Sequence, residues 1–379
     1  MEAKGKTNLL GLTKEQLGDV VEDLGEPRYR AQQIHEWLYA RGVTDFRAMT
    51  NLAKPFRDQL SRVAVIQGLT PLHQTFSPKD GTTKFLFALS DDLRIESVLI
   101  PPATAFRDTE QQEEDEQSRL TLCVSTQVGC PLDCAFCATG TMGFLRNLSA
   151  GEIVDQILQV RRLTLRRVTN IVFMGMGEPL LNYDSVMAAS GIFTAGAGIA
   201  QKRITVSTAG LPDRIRRLGL EKRKIKLAVS LHSAVDATRS RLMPINRRFP
   251  LEDLLAAVSE YYEETGQRVT YEVIFFDGVN DTEREVGALI RLARRVPCKI
   301  NVIPYHSIAF TDPTGIGAGL RPSPRLEELV RRLRDHHLTA LVRSSAGEEI
   351  DAACGQLAVR LSRSPGERRA VRGLASQSA

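Results

Sequence analysis

Gln127-Val-Gly-Cys130-Pro-Leu-Asp-Cys134-Ala-Phe-Cys137-Ala-Thr-Gly140 sets three cysteines within eight residues, at C-x3-C-x2-C spacing. A structural zinc site closes its tetrahedron with four protein ligands, usually two pairs across a longer loop. No second pair of cysteines or histidines at that spacing completes a set here. Three thiolates leave one corner vacant, which suits a cubane iron–sulfur cluster whose fourth iron takes a non-protein ligand. On spacing alone a zinc knuckle, or buried thiols gathered by chance, stands as the alternative.

Outward from this motif, short apolar runs alternate with helical patterns. Strands are predicted at 120–125, 170–174, 203–207, 226–231, 269–275, 299–304 and 339–342. Between them, helical periodicity covers 149–163, 184–198, 211–219, 251–265, 281–295 and 324–336. Apolar strands separated by helix-length crossovers predict an α/β fold with a largely parallel sheet. Six or so units fall short of eight, so the expectation is a partial (βα)6-type barrel spanning 120–358. In such folds ligand sites gather at the C-terminal strand ends. The cysteine motif follows the first strand, and Gly177-Glu178 the second, where glycine admits close backbone approach and a carboxylate could hold an ammonium group. Ser207, then Ser230-Leu231-His232, then His306 stand at later strand ends. Their arrival in register with the cysteines predicts one shared pocket.

Upstream, residues 1–65 read as a small helical accessory module. Thr13 is placed to cap a helix through Leu17, Val20, Val21 and Leu24, and Gly25-Glu-Pro27 stops it. A second helix runs to a C-cap at Gly42, and a third covers 51–60. Residues 66–101 read as a β-hairpin linker, its strands at 82–89 and 93–100. Glu96 lies in the second strand, where alternation alone predicts an outward-facing carboxylate. Residues 102–119 form an acidic interval expected to be an exposed loop, and the basic tail 359–379 is expected to be disordered.

The chain has 379 residues, a quarter of them charged, and a formal net charge of +5. No apolar run could cross a bilayer and the N-terminus lacks the apolar core of a signal peptide. Six cysteines, three in one motif, read as metal or redox chemistry in a reducing compartment, so a cytoplasmic location is expected. Arg161-Arg162, Arg166-Arg167, Arg214, Arg216-Arg217, Lys222-Arg223-Lys224 and Arg247-Arg248 could neutralise phosphates or simply solvate helix faces.

The residues now carry a specific resemblance. The cysteine spacing resembles that of the radical SAM superfamily. Residues 119–148, Gly175-Met-Gly-Glu-Pro-Leu-Leu-Asn182, Ser230-Leu-His232 with Met243-Pro-Ile-Asn246, and Ile350-Asp-Ala-Ala-Cys354-Gly-Gln-Leu357 resemble the RlmN family of radical SAM RNA methyltransferases. The likeness runs from about residue 12 to 360. It implies a [4Fe-4S] cluster on Cys130, Cys134 and Cys137, and two S-adenosylmethionine molecules consumed per methylation. Cofactor contacts are implied at Gly177, Glu178, Ser207, Ser230, Leu231, His232 and His306. By the same resemblance Cys354 carries a methyl group as S-methylcysteine, Cys123 resolves it through a transient disulfide, and Glu96 is the proton acceptor. Cys298 is left as a structural bystander. The implied partners are 23S rRNA, tRNA and a flavodoxin-like electron donor, with a monomeric enzyme and no membrane. At position 306 the family commonly has asparagine, and a neutral histidine nitrogen offers a donor or an acceptor but not both. Two other readings remain: a methylase acting on carbon 8 of adenine with the same residues, and a non-catalytic RNA-binding protein with structural zinc.

Overall fold

In the computed structural model, residues 5–102 and 119–358 are described. Almost all of the expected acidic loop, and the whole expected tail, lie outside the described residues.

The N-terminal module begins with β1 (Thr7–Asn8) and α1 (Lys14–Asp23). As expected, Thr13 caps α1, and Gln16 answers from the third helical position to close a capping box. The second helix, α2 (Arg30–His35), runs on through a π-turn over Glu36–Ala40 to Gly42, whose φ is +67°. The third helix, α3 (Lys54–Val63), starts three residues later than expected. Pro55 explains the shift, because proline lacks an amide and fits the first turn of a helix. Strand β2 (Ala64–Val65) returns to pair in parallel with β1.

Next come β3 (Thr70–Phe76), β4 (Thr83–Ala88) and β5 (Arg94–Ile100), an antiparallel meander rather than a lone hairpin. Nor is it a linker. Strand β5 pairs with β6 (Thr121–Cys123), so the meander extends the main sheet. The antiparallel pair β7 (Gln127–Gly129) and β8 (Phe144–Asn147) then carries the cysteines in its connection. From there helices and strands alternate: α4 (Ala150–Thr164), β9 (Asn170–Phe173), α5 (Tyr183–Ala195), β10 (Ile204–Thr208), α6 (Pro212–Leu220), β11 (Lys226–Ser230), α7 (Asp236–Leu242), α8 (Leu251–Thr265), β12 (Val269–Val273), α9 (Glu283–Ala293), β13 (Cys298–Val302), α10 (Leu326–Asp335) and β14 (Ala340–Val342).

One ten-stranded sheet results, in the order β14-β13-β12-β11-β10-β9-β6-β5-β4-β3. The seven strands from β6 to β14 are parallel neighbours, which gives the six expected βα units and a closing strand. The run is open: no hydrogen-bonded pairing joins β14 to β3 among the described residues. On one face of this run Ile171, Val206, Val229, Tyr271 and Ile300 are fully buried, while the opposite face carries Ser207, Glu272 and Asn301. Each such side chain contributes about 1.5–3 kcal/mol by leaving water. Among the described residues no helix is long and apolar enough to cross a membrane.

Candidate active site at the strand ends

The cysteine loop is built to one shape by backbone bonds. Gly129 sits at φ +74°, where any side chain would run into the Gly143 carbonyl. That close approach lets the Cys130 amide donate to Gly143 O at 2.9 Å. Further along, Ala135 N donates to Leu242 O at 2.9 Å and Ala138 N to Gly355 O at 2.7 Å. Thr139 Oγ1 donates to Leu357 O at 2.7 Å. The loop is therefore pinned between the end of α7 and the C-terminal segment that carries Cys354.

Burial drives the thiols of Cys130 and Cys134 well above the ordinary range, and charge on the neighbouring motif cysteines raises them further. Buried thiols such as Cys130 and Cys134 accept a metal cation, which displaces their protons when it binds. Among the described residues no three His, Cys, Asp or Glu side chains are gathered tightly enough for a single metal ion. A cubane differs, because each thiolate binds a separate iron and the sulfurs stand farther apart. Three thiols are one short of the four protein ligands of a structural zinc site and match a cubane that leaves one iron open.

Glu178 is buried beside this loop. Its Oε2 accepts from Ala209 N at 2.7 Å and its Oε1 from Leu180 N at 3.0 Å. Desolvation pushes its carboxyl up to about 7 against those bonds, so an arriving ammonium group would be welcome there. Gly177, at φ +98°, gives the turn that seats Gln127, whose Oε1 accepts the Glu178 amide at 2.8 Å. Ser207 donates to Glu272 Oε2 at 2.8 Å. His232 holds a left-handed backbone, φ +55°, secured by Asn280 Nδ2 donating to its carbonyl at 2.6 Å. Its Nδ1 accepts from Ile274 N at 3.2 Å, which leaves Nε2 to carry the proton. Burial and then Arg239 depress the ring's pKa to about 3, so it is neutral. The ring packs on Phe136, between the second and third cysteines, at 4.3 Å between centroids. Leu231 is different: its amide donates to Glu272 O and its carbonyl accepts from Arg239 Nε. It shapes the pocket while its own polar groups are engaged.

The residue that gathers these strand ends is Arg239, fully buried and unmarked by sequence reasoning. Its guanidinium donates to Leu231 O, Ser230 O, Ala209 O and Asn246 Oδ1. His306 is also buried; its Nδ1 lies 3.3 Å from Glu348 Oε1 but without hydrogen-bond alignment, so the nitrogen stays unsatisfied.

On the other side of the loop lie the two remaining cysteines of interest. All six cysteines are free thiols, so the transient Cys123–Cys354 disulfide is not the state described. Burial first, then charge on Cys354, pushes the Cys123 thiol up to about 12; the Arg343 guanidinium opposes both. Cys354 is likewise raised by burial and relieved by Arg343. Arg343 Nη1 stands 3.2 Å from Met174 Sδ and 3.8 Å from Glu272 Oε1. Thus Arg343, at the end of β14, puts a cation between the two thiols.

Glu96 corrects the expectation of an outward carboxylate: it is 4% exposed. Every interior residue of β5 is buried, because α4 covers one face and the segment around Asp351 the other. Lys84 Nζ lies 3.4 Å from Glu96 Oε1 and donates to Asp351 O at 3.2 Å, while Glu96 Oε2 has no partner. Desolvation, only partly offset by Lys84, raises the carboxyl to about 7. The native state therefore holds a proton that the unfolded chain has lost between pH 4.5 and about 7, and stability falls as pH rises through that window. Glu96→Gln is expected to melt higher than the parent at pH 8 and not at pH 5, a gain on the order of 1–3 kcal/mol after the Lys84 pair is lost. Parallel melting curves at the two pH values check this; the same difference at both would contradict a desolvated carboxylate.

Arg239, Arg343, Glu272 and Lys84 were missing from the sequence-based site. Of these, only Arg343, just past the last predicted strand, stood where strand-end logic could have found it.

Comparison with known proteins places the chain. The model for the ribosomal RNA large subunit methyltransferase N-terminal domain matches residues 7–66, and that for the radical SAM superfamily matches 124–290. A probable dual-specificity RNA methyltransferase RlmN of Nostoc punctiforme is 42% identical over 350 residues, 92% of each chain. The dual-specificity RNA methyltransferase RlmN of Halorhodospira halophila is 41% identical over 357 residues, 93% of this chain and 94% of that one. The crystal structure of a radical SAM methyltransferase from Sphaerobacter thermophilus superposes with a TM-score of 0.81 at 43% identity, covering 93% of this chain and 99% of that one. With likeness over nine-tenths of its length and a cluster loop at the strand ends, this chain belongs to the RlmN family of radical SAM RNA methyltransferases.

Proposed function

We propose that the chain methylates carbon 2 of adenine in 23S rRNA, at the peptidyl-transferase centre, and in tRNA, at the adenine 3′ of the anticodon, through S-methylcysteine at Cys354. The observation that carries this reading is the tie between loop and C-terminal segment: Gly355 O accepts from Ala138 N, so Cys354 is held against the cysteine motif. Cys130, Cys134 and Cys137 would hold a [4Fe-4S] cluster. Glu178, Ser207, Ser230, His232 and His306 would hold S-adenosylmethionine, with Glu178 suited to receive its ammonium group. When bound, cluster and S-adenosylmethionine supply the methyl groups and the one-electron chemistry that a weakly nucleophilic aromatic carbon requires.

The protein's part is positional and acid–base. Cys354 carries the methyl as a thioether. Glu96, ionised only above about pH 7 and with one oxygen unpartnered, takes the proton from the methylated base. The Cys123 thiolate attacks the Cys354 sulfur, forming the disulfide as the sulfur–carbon bond breaks; the bonding pair stays with the methylene carbon, which takes up a proton to become the product methyl group. A flavodoxin-like donor would reduce it before the next turnover. Two S-adenosylmethionine molecules are consumed per product, and the enzyme acts as a monomer in the cytoplasm.

Nucleoside digestion of RNA treated with the holoenzyme tests the regiochemistry: 2-methyladenosine is expected, and 8-methyladenosine would overturn the choice. Anaerobic reconstitution is expected to give a brown protein with about four irons and four sulfides per chain. Alanine at Cys130, Cys134 or Cys137 should abolish the colour, while Cys298→Ala, the cysteine that donates to Ala293 O, should keep it. A colourless protein retaining zinc would sink the cluster assignment.

A further inference from the structure

Remote from the strand ends, a cleft of about 360 Å³ opens between the N-terminal module and the far end of α4. Five arginines line it: Arg41, Arg161, Arg162, Arg166 and Arg167, and among the described residues no carboxylate does. Two of the five are paired. Arg41 binds Glu36 at 3.0 Å and lies on the Trp37 ring, and Arg162 reaches Asp155 at 3.4 Å. Arg161 donates to Tyr39 O and Ala40 O, which fastens the module to α4 without neutralising the charge. Arg166 and Arg167 lie beyond the helix, after the left-handed cap at Leu165, and are exposed. Arg161 is lowered by burial and then by Arg167, as like charges crowded together require. Helix-end cations ordinarily answer the macrodipole within the last turn. Arg166 and Arg167 stand past that turn, so the dipole does not account for them.

We infer that this cleft is a phosphate-backbone site for folded RNA, a second anchor distinct from the catalytic mouth. The inference rests on the RNA-methyltransferase reading. Helix α4 returns from the strand ends to the strand starts, so its 15 residues separate cleft from mouth by about 22 Å. Only an extended, folded nucleic acid reaches both. Guanidinium groups suit phosphate because their forked donors bind it bidentately. Exposed guanidinium groups on a solvent-facing cleft meet the phosphate backbone first, so its contribution is expected mainly in affinity.

The test uses holoenzyme and a fluorescein-labelled transcribed tRNA, titrated across salt concentrations. Arg166→Ala/Arg167→Ala is expected to weaken binding about tenfold at low salt and to flatten the slope of log affinity against log salt by about 1–2. Methylation at saturating tRNA should stay at the parent rate. Arg166→Lys/Arg167→Lys, which keeps the charge, should restore the slope, whereas a merely structural role would not follow charge. Because both side chains are exposed, cluster absorbance and melting temperature should match the parent. Parent-like affinity and slope in the alanine variant would overturn the cleft while leaving RNA methylation intact; a parent enzyme that neither binds nor methylates tRNA or 23S rRNA would instead remove the reading beneath it. Competition by poly-glutamate as strong as by unlabelled tRNA would also overturn the assignment, since the cleft would then select acidity and not RNA.

Discussion

Cys123→Ala holoenzyme, given reductant and S-adenosylmethionine, is expected to leave labelled RNA covalently attached to the protein, and Cys354→Ala is expected to leave it free. The asymmetry follows from where the two thiols sit. Cys354 immediately precedes the segment bonded to the cysteine loop, so in the proposed reaction it is the sulfur that carries the methyl group. Cys123 ends β6, between Val98 of β5 and Val172 of β9, and in the proposed reaction it is the thiol that breaks what Cys354 has made. A thiol pushed up to about 12 is ionised to roughly one part in 10⁵ at pH 7, so unaided attack would be slow. The Arg343 guanidinium is the group that counters this. Arg343→Gln is therefore expected to show intermediate behaviour, with adduct that accumulates and decays more slowly than in the parent. Arg343→Lys should recover part of the rate. Denaturing gels of labelled RNA at timed quenches read all four proteins. Free RNA in both alanine variants would contradict the proposed division of labour.

Much of this site was legible in the sequence because its parts obey periodic rules. Cysteine spacing, apolar strand runs and glycines at strand ends depend on local geometry, and the structure returns them within a few residues. What was not legible depends on what covers each face. Glu96 was misassigned because alternation assumes that one face of a strand meets water. Strand β5 is interior to a ten-stranded sheet and covered on both sides. Strand β3 was not singled out for the opposite reason: as an exposed edge with a bulge between Pro71 and His73, it has no buried face to pattern. Helix α7 escaped because Arg239 is one of its two buried residues, and a buried arginine gives no apolar period. The approach of Cys123 to Cys354 was not legible either: β6 and β14 end the parallel run at opposite sides, and it is the segment after β14, returning to the cysteine loop, that brings Cys354 back.

Arg239→Met is expected to lower the melting temperature by roughly 4–7 °C and to weaken S-adenosylmethionine binding in whatever fraction stays folded. A buried cation costs several kcal/mol of desolvation, and no carboxylate hydrogen-bonds to this one among the described residues. What retains it is four donated bonds: 2.5 Å to Ala209 O, 2.7 Å to Asn246 Oδ1, and 3.1 Å to each of Ser230 O and Leu231 O. Bonds from a charged donor contribute about 1.5–3 kcal/mol each, enough to offset that cost. Methionine fills the volume but removes all four donated bonds, and although Leu231 O keeps the Ser233 amide at 2.7 Å, Ala209 O, Asn246 Oδ1 and Ser230 O lose the guanidinium, a loss of about 3–5 kcal/mol. Total stability is only about 5–15 kcal/mol, so the variant is marginal. The ends of β10 and β11 would separate first, because Arg239 joins Ala209 to Ser230 and Leu231. Ala209 N also holds Glu178, so the carboxylate proposed to meet the ammonium group loses its seat along with them. Arg239→Lys is the sharper probe. An ammonium group makes at most three bonds and lacks the planar fork, so this variant should fold yet bind S-adenosylmethionine less tightly. Calorimetry of the cofactor-free proteins and titration of S-adenosylmethionine into reconstituted Arg239→Lys measure the two effects separately. Parent-like stability in Arg239→Met would mean that the strand ends are joined by something other than this arginine.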